Sequence, residues 1–296
     1  MRVLFAGGGT GGHLYPAMAL AEELRARDPQ ATIAFMGTPS RIEATLVPQA
    51  GYPFYPVDVR GMPRKLGPEL VGFLKALVGS LGAARRVIQE LAPDVVVGTG
   101  GYVSAPAILA AASLGRPALI CEQNVFPGIA NRVLSRFATQ VMTTFPESDR
   151  YFPKGKAVNL GNPIRSEVYT LNREEARERL GVHAEHLLLV TGGSLGARSI
   201  NRALVSALPE LLQAADWGIL HVAGKGDFAE VAAQTESLKL GDRYRLVPYL
   251  EDLPVAIAAS DLVLSRAGAT TVAELTAAAK PMVLVPFQFG GKDQPA

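Results

Sequence analysis

Residues 3–13 read VLFAGGGTGGH, an apolar run that passes directly into five glycines interrupted only by Thr10. An apolar run of this kind favours a buried β-strand, and glycine lets the backbone turn tightly and approach a ligand closely. The N–H groups at the start of a helix that follows such a loop favour a phosphate or a developing negative charge. The stretch therefore predicts the first strand, loop and helix of a parallel α/β sheet.

The same pattern of strand, glycines and helix occurs twice more. Residues 95–97 (VVV) lead into residues 98–102 (GTGGY), and residues 187–191 (LLLVT) lead into residues 192–197 (GGSLGA). A single loop of this type is compatible with a tight turn. Three loops, with at least one in each half of the chain, predict a cleft between two domains that is lined by anion-binding turns at the carboxyl ends of the strands.

The rest of the chain continues this alternation of short β-rich runs and longer amphipathic stretches, which is typical of parallel sheets built from βα units. The pattern breaks between Pro153 and Arg173, where glycines and prolines cluster, and then restarts at Leu187. We predict two doubly wound domains, residues 1–160 and 161–296. The predicted strands are Arg2–Ala6, Thr32–Met36, Asp94–Gly98, Ala118–Cys121, Gln140–Thr143, His186–Thr191, Gly218–Val222, Tyr244–Val247, Leu262–Leu264 and Met282–Val285.

The composition limits the class of protein. With 296 residues, 48% of them apolar and 19% charged, the chain folds around real cores, which excludes a disordered, collagen-like or coiled-coil protein. Its one cysteine, Cys121, excludes an internal disulfide and indicates a reducing compartment. The uncharged stretch from Val95 to Gly115 contains a glycine loop and Pro106, so it predicts a buried strand, a loop and a helix rather than a membrane span.

Positive charge is concentrated in the first half of the chain. Residues 1–160 hold 16 Lys/Arg and 11 Asp/Glu, whereas residues 161–296 hold 13 and 16. Between Arg60 and Arg86 there are six basic residues against one acid, Glu69, around an apolar stripe at helical spacing. Such a stripe normally faces a core, but its basic flanks make a patch for an anionic lipid surface an equal alternative. The patch consists of Leu70, Phe73, Leu74, Leu77, Lys75, Arg85 and Arg86.

Two common nucleotide chemistries are disfavoured. Gly7, Gly9 and Gly12 satisfy Gly-x-Gly-x-x-Gly, the fingerprint of dinucleotide-dependent oxidoreductases, but the second predicted strand ends in Met36-Gly37 without the acid that would hold a ribose. A Walker A loop is absent, since Gly218 to Lys225 has the wrong spacing and no Ser or Thr follows. Hydride transfer and phosphoryl transfer both lose support.

A further group of small and hydroxyl residues follows the predicted strand Leu262–Leu264. Residues 265–274 read SRAGATTVAE, so a helix begins there and carries Glu274. A carboxylate at this place accepts hydrogen bonds from a ribose diol, while the helix N-terminus meets a phosphate. The alternative is an N-capped helix on which Glu274 is only a solvated acid of the first turn. The glycine loop at Gly192 favours the nucleotide site.

Six motifs in register resemble the MurG family of N-acetylglucosaminyltransferases. They are Gly8-Gly9-Thr10-Gly11-Gly12-His13-x-x-Pro16, Gly100-Gly101-Tyr102, Glu122-Gln123-Asn124, Gly161-Asn162-Pro163-x-Arg165, Gly192-Gly193-Ser194-x-Gly196-Ala197 and Arg266-Ala267-Gly268-Ala269-x-Thr271-x-x-Glu274. The resemblance covers the whole chain. It implies the GT-B glycosyltransferase fold, two Rossmann-like domains facing a cleft, and transfer of N-acetylglucosamine from UDP-N-acetylglucosamine to the C4 hydroxyl of the muramoyl sugar of lipid I, with inversion, to give lipid II.

The resemblance also implies roles for individual residues. The second domain would bind the donor and the first the lipid-linked acceptor, with Gly100, Gly101 and Tyr102 in an acceptor or phosphate loop. His13 is the candidate base, against the alternative of a helix-start histidine bonded to local backbone. Glu122 is the reserve, against the alternative of a strand-end carboxylate held by neighbouring N–H groups. The implied donor-binding residues are Thr10, Gly11, Gly12, Asn124, Arg165, Ser194, Tyr249, Leu250, Ala269, Thr270, Thr271, Val272, Ala273, Glu274 and Gln294.

No cofactor or metal is expected to be obligatory. The sequence has no Asp-x-Asp pair, and the nearest acidic pair, Glu147-Ser148-Asp149, is typical of a solvated surface. Helix N-termini and Arg165 would neutralise the diphosphate without a cation. The implied partners are UDP-N-acetylglucosamine, polyprenyl-linked lipid I and an anionic membrane surface, with no nucleic acid, and the implied location is peripheral, at the cytoplasmic face of the bacterial cell membrane.

The family's chains continue beyond a late glutamine motif that this sequence reaches at Phe287–Ala296. Gln294 aligns best with the glutamine of that motif, with Gln288 as the alternative. We therefore expect the second domain to be incomplete at its C-terminal end. Two other functions stay open: a non-catalytic homologue that binds nucleotide and lipid, and another GT-B enzyme such as a UDP-sugar epimerase or a glycolipid synthase.

Overall fold

The structure is a computed structural model that describes residues 1–59, 69–193, 196–214 and 216–286, without the side chains of residues 69–71, 73–75 and 214. The chain divides into two compact units, Met1–Ile164 and Arg165–Ala296. This boundary lies a few residues beyond the predicted one, because the Leu160 N–H still donates to the Thr143 carbonyl at the edge of the first sheet.

The first unit is a seven-stranded sheet in the order β3-β2-β1-β4-β5-β6-β7, and every described strand pair is parallel. A 3₁₀ helix, Pro146–Tyr151, precedes the last strand. The other elements are β1 (Arg2–Gly7), α1 (Gly11–Arg27), β2 (Thr32–Gly37), α2 (Glu43–Gln49), β3 (Phe54–Pro56), α3 (Glu69–Leu91), β4 (Val95–Gly100), α4 (Ser104–Ser113), β5 (Ala118–Glu122), α5 (Ile129–Leu134), β6 (Gln140–Thr143) and β7 (Ala157–Asn159).

The second unit is a five-stranded parallel sheet in the order β10-β9-β8-β11-β12. A 3₁₀ turn at Gly241–Arg243 precedes its edge strand β10. The elements are α6 (Glu167–Thr170), α7 (Arg173–Leu180), β8 (His186–Thr191), α8 (Arg198–Ala214), β9 (Trp217–Val222), α9 (Phe228–Glu236), β10 (Tyr244–Val247), α10 (Leu253–Ala259), β11 (Leu262–Arg266), α11 (Ala269–Ala277) and β12 (Met282–Val285).

The ten predicted strands all form, within two residues of their predicted ends. The prediction missed β3 and β7, the two outermost strands of the first sheet. Each has only three residues, and neither is fully buried. A strand this short at a sheet edge leaves no alternation of apolar residues from which it could be recognised.

Helices cover both faces of the first sheet. One core lies between α1, α2 and the sheet and includes Leu14, Phe35 and Val47. The other lies between α3, α4, α5 and the sheet and includes Ile88, Ile108 and Leu134. Two-sided burial explains why the central strands are continuous apolar runs. Among the described residues no helix is both long and apolar enough to cross a membrane.

Candidate active site

Both sheets change strand order at the same topological point. In the first unit β1 lies between β2 and β4, and in the second unit β8 lies between β9 and β11. The connections therefore leave in opposite directions from β1 and β4, and from β8 and β11, which opens a crevice at the carboxyl ends of these strands. All the predicted glycine loops, and the segment 265–274, lie at these two switch points.

The two glycine loops of the first unit interlock. Gly101 has a φ of +79°, and a side-chain carbon there would lie 2.5 Å from the Gly8 carbonyl oxygen. A side-chain carbon on Gly7 would meet the Thr99 hydroxyl at 2.0 Å. That hydroxyl donates to the His13 carbonyl at 2.7 Å. Only glycine allows the loops after β1 and β4 to approach this closely.

His13 lies in the first turn of α1 with its ring against the second loop. Any side chain on Gly100 would place its first carbon 2.3 Å from His13 Nδ1. That nitrogen is buried and has no hydrogen-bond partner among the described residues. Burial lowers the pKa of His13 below its ordinary 6.5, although the backbone of Thr99 and the charge of Glu122 oppose the shift. The imidazole is therefore neutral at pH 7, the state that a general base needs.

Glu122, the reserve candidate, is buried at the end of β5 and surrounded by donors. Its Oε1 accepts from the backbone N–H and side-chain amide of Asn124, at 2.9 and 3.2 Å. Its Oε2 accepts from the Gly128 N–H at 3.3 Å and from Asn131 Nδ2 at 2.9 Å. Four donors stabilise the ionised carboxylate and fix the loop that follows β5. This geometry matches the alternative of a strand-end carboxylate better than that of a base.

A second buried carboxylate, Glu43, reaches the first glycine loop from α2. It accepts from the Gly9 N–H at 2.9 Å, and from the Thr38 N–H and hydroxyl at 3.0 and 2.6 Å. Glu43 is only 1% exposed. The expectation that this loop offers its N–H groups to an anion therefore holds only in part, since one of them already has a carboxylate acceptor inside the protein.

In the second unit the loop after β8 packs against the end of β9. A side-chain carbon on Gly196, whose φ is +80°, would lie 2.2 Å from the Ala223 carbonyl oxygen. The Gly196 N–H donates to the Gly193 carbonyl at 3.0 Å shortly before α8 begins. From the end of β11, Arg266 Nη2 donates to Ser199 Oγ in the first turn of α8 at 2.7 Å.

Arg165 and Glu274 form a buried ion pair. Nε and Nη2 of Arg165 lie 3.3 and 3.0 Å from Glu274 Oε1, and the side chains are only 9% and 4% exposed. Burial raises the pKa of Glu274, and Arg165 opposes the shift. The alternative of a solvated first-turn acid is wrong, because Glu274 is buried and lies beyond the first turn of α11. The predicted diphosphate partner Arg165 is thus neutralised by a carboxylate within its own unit.

A buried polar network braces the start of α8. Asn201 Nδ2 donates to the Ala223 carbonyl and to Asp227, at 2.9 and 3.1 Å. Its Oδ1 therefore accepts from His221 Nε2 at 3.0 Å. The other ring nitrogen, Nδ1, then accepts from the Tyr244 hydroxyl at 2.8 Å. His221 is fully buried, and burial lowers its pKa to about 4.

This network predicts an acid-sensitive second unit. Because the folded pKa of His221 lies below the unfolded value, its neutral state stabilises the fold fully above pH 6.5, and this stabilisation is lost as the pH falls towards 4. We expect a loss of up to about 3 kcal/mol in free energy of unfolding over that range. Urea titrations followed by fluorescence of the single tryptophan, Trp217 in β9, report this unit alone.

The comparison variants for this acid effect are His221→Leu and His183→Gln. Since His183 is exposed, its replacement should leave the pH dependence as in the parent. The His221 variant should be less stable at pH 7 but should lack most of the decline between pH 6.5 and 4. An unchanged decline in His221→Leu would contradict the assignment.

The remaining predicted residues divide by position. Thr10 and Gly12 are exposed at the start of α1, Tyr102 is exposed after β4, and Asn124 is exposed after β5. Tyr249 and Leu250 follow β10, with Lys225 Nζ 5.5 Å from the Tyr249 ring centroid. The half-buried first turns of α11 carry the predicted residues Ala269, Thr270, Thr271, Val272 and Ala273. Ser194 and Gln294 lie outside the described residues.

The structure also brings together residues that the sequence analysis did not select. The Ser104 hydroxyl joins the ends of β1 and β4: it lies 2.9 Å from the carbonyl oxygens of Ala6 and Gly100, and it accepts from the Gly100 N–H at 3.0 Å. Glu43, Asn201 and His221 were missed as well. Each of them has a partner at least 20 residues away, which no local spacing indicates. The described residues contain no group of three or more His, Cys, Asp or Glu arranged to hold a metal ion.

Comparison with known protein families agrees with this arrangement. Residues 3–143 match the glycosyltransferase family 28 N-terminal domain, and residues 187–295 match the glycosyltransferase family 28 C-terminal domain. The two matches cover the two units separately. Each includes both of the loops that follow the central strands of its switch point.

Curated relatives are similar over nearly the full chain. A UDP-N-acetylglucosamine--N-acetylmuramyl-(pentapeptide) pyrophosphoryl-undecaprenol N-acetylglucosamine transferase from Desulfitobacterium hafniense is 42% identical, over 99% of this chain and 81% of its own length. The protein of the same name from Natranaerobius thermophilus is 41% identical, over 97% of this chain and 79% of its own length. The expectation of an incomplete second domain stays a prediction.

Solved structures share the fold. The crystal structure of Acinetobacter baumannii MurG superposes with a TM-score of 0.66 at 31% identity, over 98% of this chain and 78% of that one. A Listeria monocytogenes protein described as a UDP-N-acetylglucosamine 2-epimerase gives a TM-score of 0.68 at 14% identity, over 96% of this chain and 78% of that one, which shows the fold alone. By its two family domains and its identity with named relatives, the chain belongs to glycosyltransferase family 28, with the GT-B fold, and within it to the MurG-type N-acetylglucosaminyltransferases.

Proposed function

We propose that this protein transfers N-acetylglucosamine from UDP-N-acetylglucosamine to the C4 hydroxyl of the muramoyl sugar of lipid I, with inversion, giving lipid II and UDP. The names of the relatives at 42% and 41% identity contain this donor and this class of acceptor. The observation that carries the proposal to this chain is the position of His13, whose ring packs against Gly100 at the interlocked glycine loops of the first unit.

His13 takes the proton of the acceptor hydroxyl in this proposal. Its Nδ1 is buried against Gly100 and is inaccessible to a substrate. The nitrogen that acts as base is therefore Nε2. As Nε2 takes the proton, the hydroxyl oxygen bonds to the anomeric carbon and the bond from that carbon to the diphosphate breaks. Negative charge from Glu122 favours the imidazolium that forms.

The donor belongs to the second unit in this proposal. UDP leaves with a growing negative charge, and the N-terminal turn of α8 provides N–H groups and a helix dipole to stabilise it. Arg266 adds a cation at the same turn through its contact with Ser199. The Arg165–Glu274 pair fixes α11, whose first residues hold ribose and phosphate. No cation is obligatory, because these groups supply the neutralising charge.

We also propose that the protein binds the cytoplasmic face of the bacterial cell membrane as a peripheral protein. The side chains of Leu70, Phe73, Leu74 and Lys75 lie outside the described residues, but α5 carries support of its own. An α5 apolar surface, consisting of Phe126, Ile129, Val133 and Phe137, is 47–77% exposed. Arg132 and Arg136 are exposed beside it. Apolar side chains flanked by arginines fit an anionic lipid surface.

Membrane binding is tested with vesicles of phosphatidylglycerol and phosphatidylcholine. Val133→Glu removes apolar contact and adds a repelled charge, so we expect the bound fraction to fall at least about fivefold. The matched control is Tyr169→Glu in the second unit, which is equally exposed but lies outside the α5 apolar surface and should bind as the parent does. Equal binding by all three proteins would overturn the assignment of α5 to the membrane.

The reaction is tested by donor competition and product analysis. UDP-N-acetylglucosamine should be used in preference to other UDP sugars, and product should form only with a polyprenyl-linked muramoyl acceptor. Conversion of the donor without any acceptor would indicate an epimerase instead. Transfer to a diacylglycerol acceptor would indicate a glycolipid synthase.

A further inference from the structure

We infer that Glu43 is a positioning residue of the transferase, which holds the first glycine loop in the shape that places His13. This inference rests on the proposed function. Glu43 lies in α2 and takes no part in the interlocked contacts between the two glycine loops. Its carboxylate lies between the first glycine loop and the residue that follows β2, Thr38.

The Glu43 side chain packs closely against two glycines. A side-chain carbon on Gly8 would lie 2.3 Å from Glu43 Cδ, and one on Gly37 would lie 2.5 Å from Glu43 Cγ. The carboxylate is therefore packed directly against the loop backbone. Gly8 therefore lies between Glu43 on one side and Gly101 on the other.

Both carboxylate oxygens are needed. Oε2 accepts from the Gly9 N–H, while Oε1 accepts from the Thr38 N–H and hydroxyl. Gly9 has a φ of +83°, and because glycine adopts positive and negative φ about equally readily, the hydrogen bond to Glu43 helps to select this conformation. The two backbone donors come from different segments, so the single carboxylate ties the loop after β1 to the end of β2.

The position of the first glycine loop affects the position of His13 through the second loop. Gly8 packs against Gly101, and the neighbouring Gly100 packs against the His13 ring. A shift of the loop at Gly8 or Gly9 therefore moves the wall against which the imidazole packs. Misplacement of a catalytic group by about 1 Å can reduce a rate about a hundredfold.

Glu43→Gln is the decisive variant, because glutamine has the same shape but only one accepting oxygen. Whichever way the amide is turned, either the Gly9 N–H or the Thr38 N–H faces an NH₂ group and loses its acceptor. We expect kcat to fall about 10- to 100-fold while the KM for UDP-N-acetylglucosamine stays within about twofold, since the donor belongs to the second unit. Thr38→Val removes one donor and should give a smaller loss in kcat.

Val47→Ala is the matched control for stability. Val47 is fully buried in the same helix, packs in the core of α1 and α2, and makes no hydrogen bond with its side chain. It should lower the melting temperature as Glu43→Gln does, yet leave kcat within about twofold of the parent at 20 °C. Equal kcat in Glu43→Gln and Val47→Ala would overturn the inference, because Glu43 would then act on stability alone.

A second measurement does not depend on activity. Amide hydrogen exchange at Gly9, followed by NMR, should be at least about tenfold faster in Glu43→Gln than in the parent, and unchanged in Val47→Ala. An unchanged rate at Gly9 in Glu43→Gln would overturn the clamp directly. Absence of transferase activity in the parent would instead overturn the proposed function and leave this exchange test intact.

Discussion

Replacing His13 with alanine will lower kcat about a hundredfold or more, while UDP binding to the second unit stays within about twofold of the parent. General base catalysis by a positioned side chain contributes about 10²- to 10⁴-fold. The imidazole is neutral at pH 7 because burial lowers its pKa, so the parent enzyme has its base available. Steady-state kinetics with a water-soluble lipid I analogue and calorimetry with UDP measure the two quantities separately.

The pH profile distinguishes a base from a residue that only shapes the loop. In the parent, kcat/KM should decline below pH 6.5, because a His13 ring that is already protonated cannot accept the proton of the acceptor hydroxyl. His13→Ala should lack this acid limb. Replacement of His183, an exposed histidine in the second unit, by alanine should keep both the limb and the rate. A His13→Ala enzyme within a few fold of the parent rate would remove His13 from the role of base.

Replacing Arg165 with methionine will cost the second unit about 3–5 kcal/mol in free energy of unfolding at pH 7. The variant leaves Glu274 buried without its cation, and the side chain of Glu274 is only 4% exposed. Because burial raises the pKa of Glu274 and Arg165 opposes the shift, removal of Arg165 raises the pKa further. The loss of stability should therefore be largest at neutral pH and should shrink as the pH falls towards 5 and the carboxyl takes up a proton.

Trp217 fluorescence in urea gives this free energy for the second unit. The double variant Arg165→Met/Glu274→Leu removes both charges and should recover most of the stability, since apolar replacement of a buried pair is often close to neutral. Its donor affinity should nevertheless fall, because the hydrogen bonds between Arg165 and Glu274 no longer fix α11, whose first residues are proposed to hold ribose and phosphate. A loss below about 1 kcal/mol in Arg165→Met would show that the pair is not buried in solution.

The central elements of both sheets could be predicted from the sequence because they are buried on both faces. A strand such as β4, in which Val95, Val96 and Val97 are followed by glycine, can be recognised from its own six residues. The edge strands β3 and β7 carry no such signal, because their pairing is set by the neighbouring strand and not by their own apolar pattern. The same holds for the unit boundary, which is fixed by backbone bonds such as Leu160 to Thr143.

The glycine loops of the candidate site could be predicted from the sequence, but the side chains that hold these loops in place could not. A glycine loop after a strand is visible locally, whereas the carboxylate of Glu43 meets Gly9 across 34 residues of chain. Likewise, nothing within the sequence around Glu274 indicates that Arg165 reaches it across 109 residues. The second strand ends in Met36-Gly37, without an acid of its own. The structure supplies Glu43 from the next helix, where it binds the protein's own loop.

Transfer itself can be followed in one reaction that contains the full chain, UDP-N-acetylglucosamine labelled in the sugar, and a lipid I analogue. Label in a disaccharide product, UDP release in equal amount and an inverted anomeric linkage are the results that we predict. Thermal unfolding in the same sample verifies that the protein is folded. Binding of the donor by folded protein without release of UDP or formation of disaccharide would contradict a transferase and would indicate a protein that only binds nucleotide and lipid.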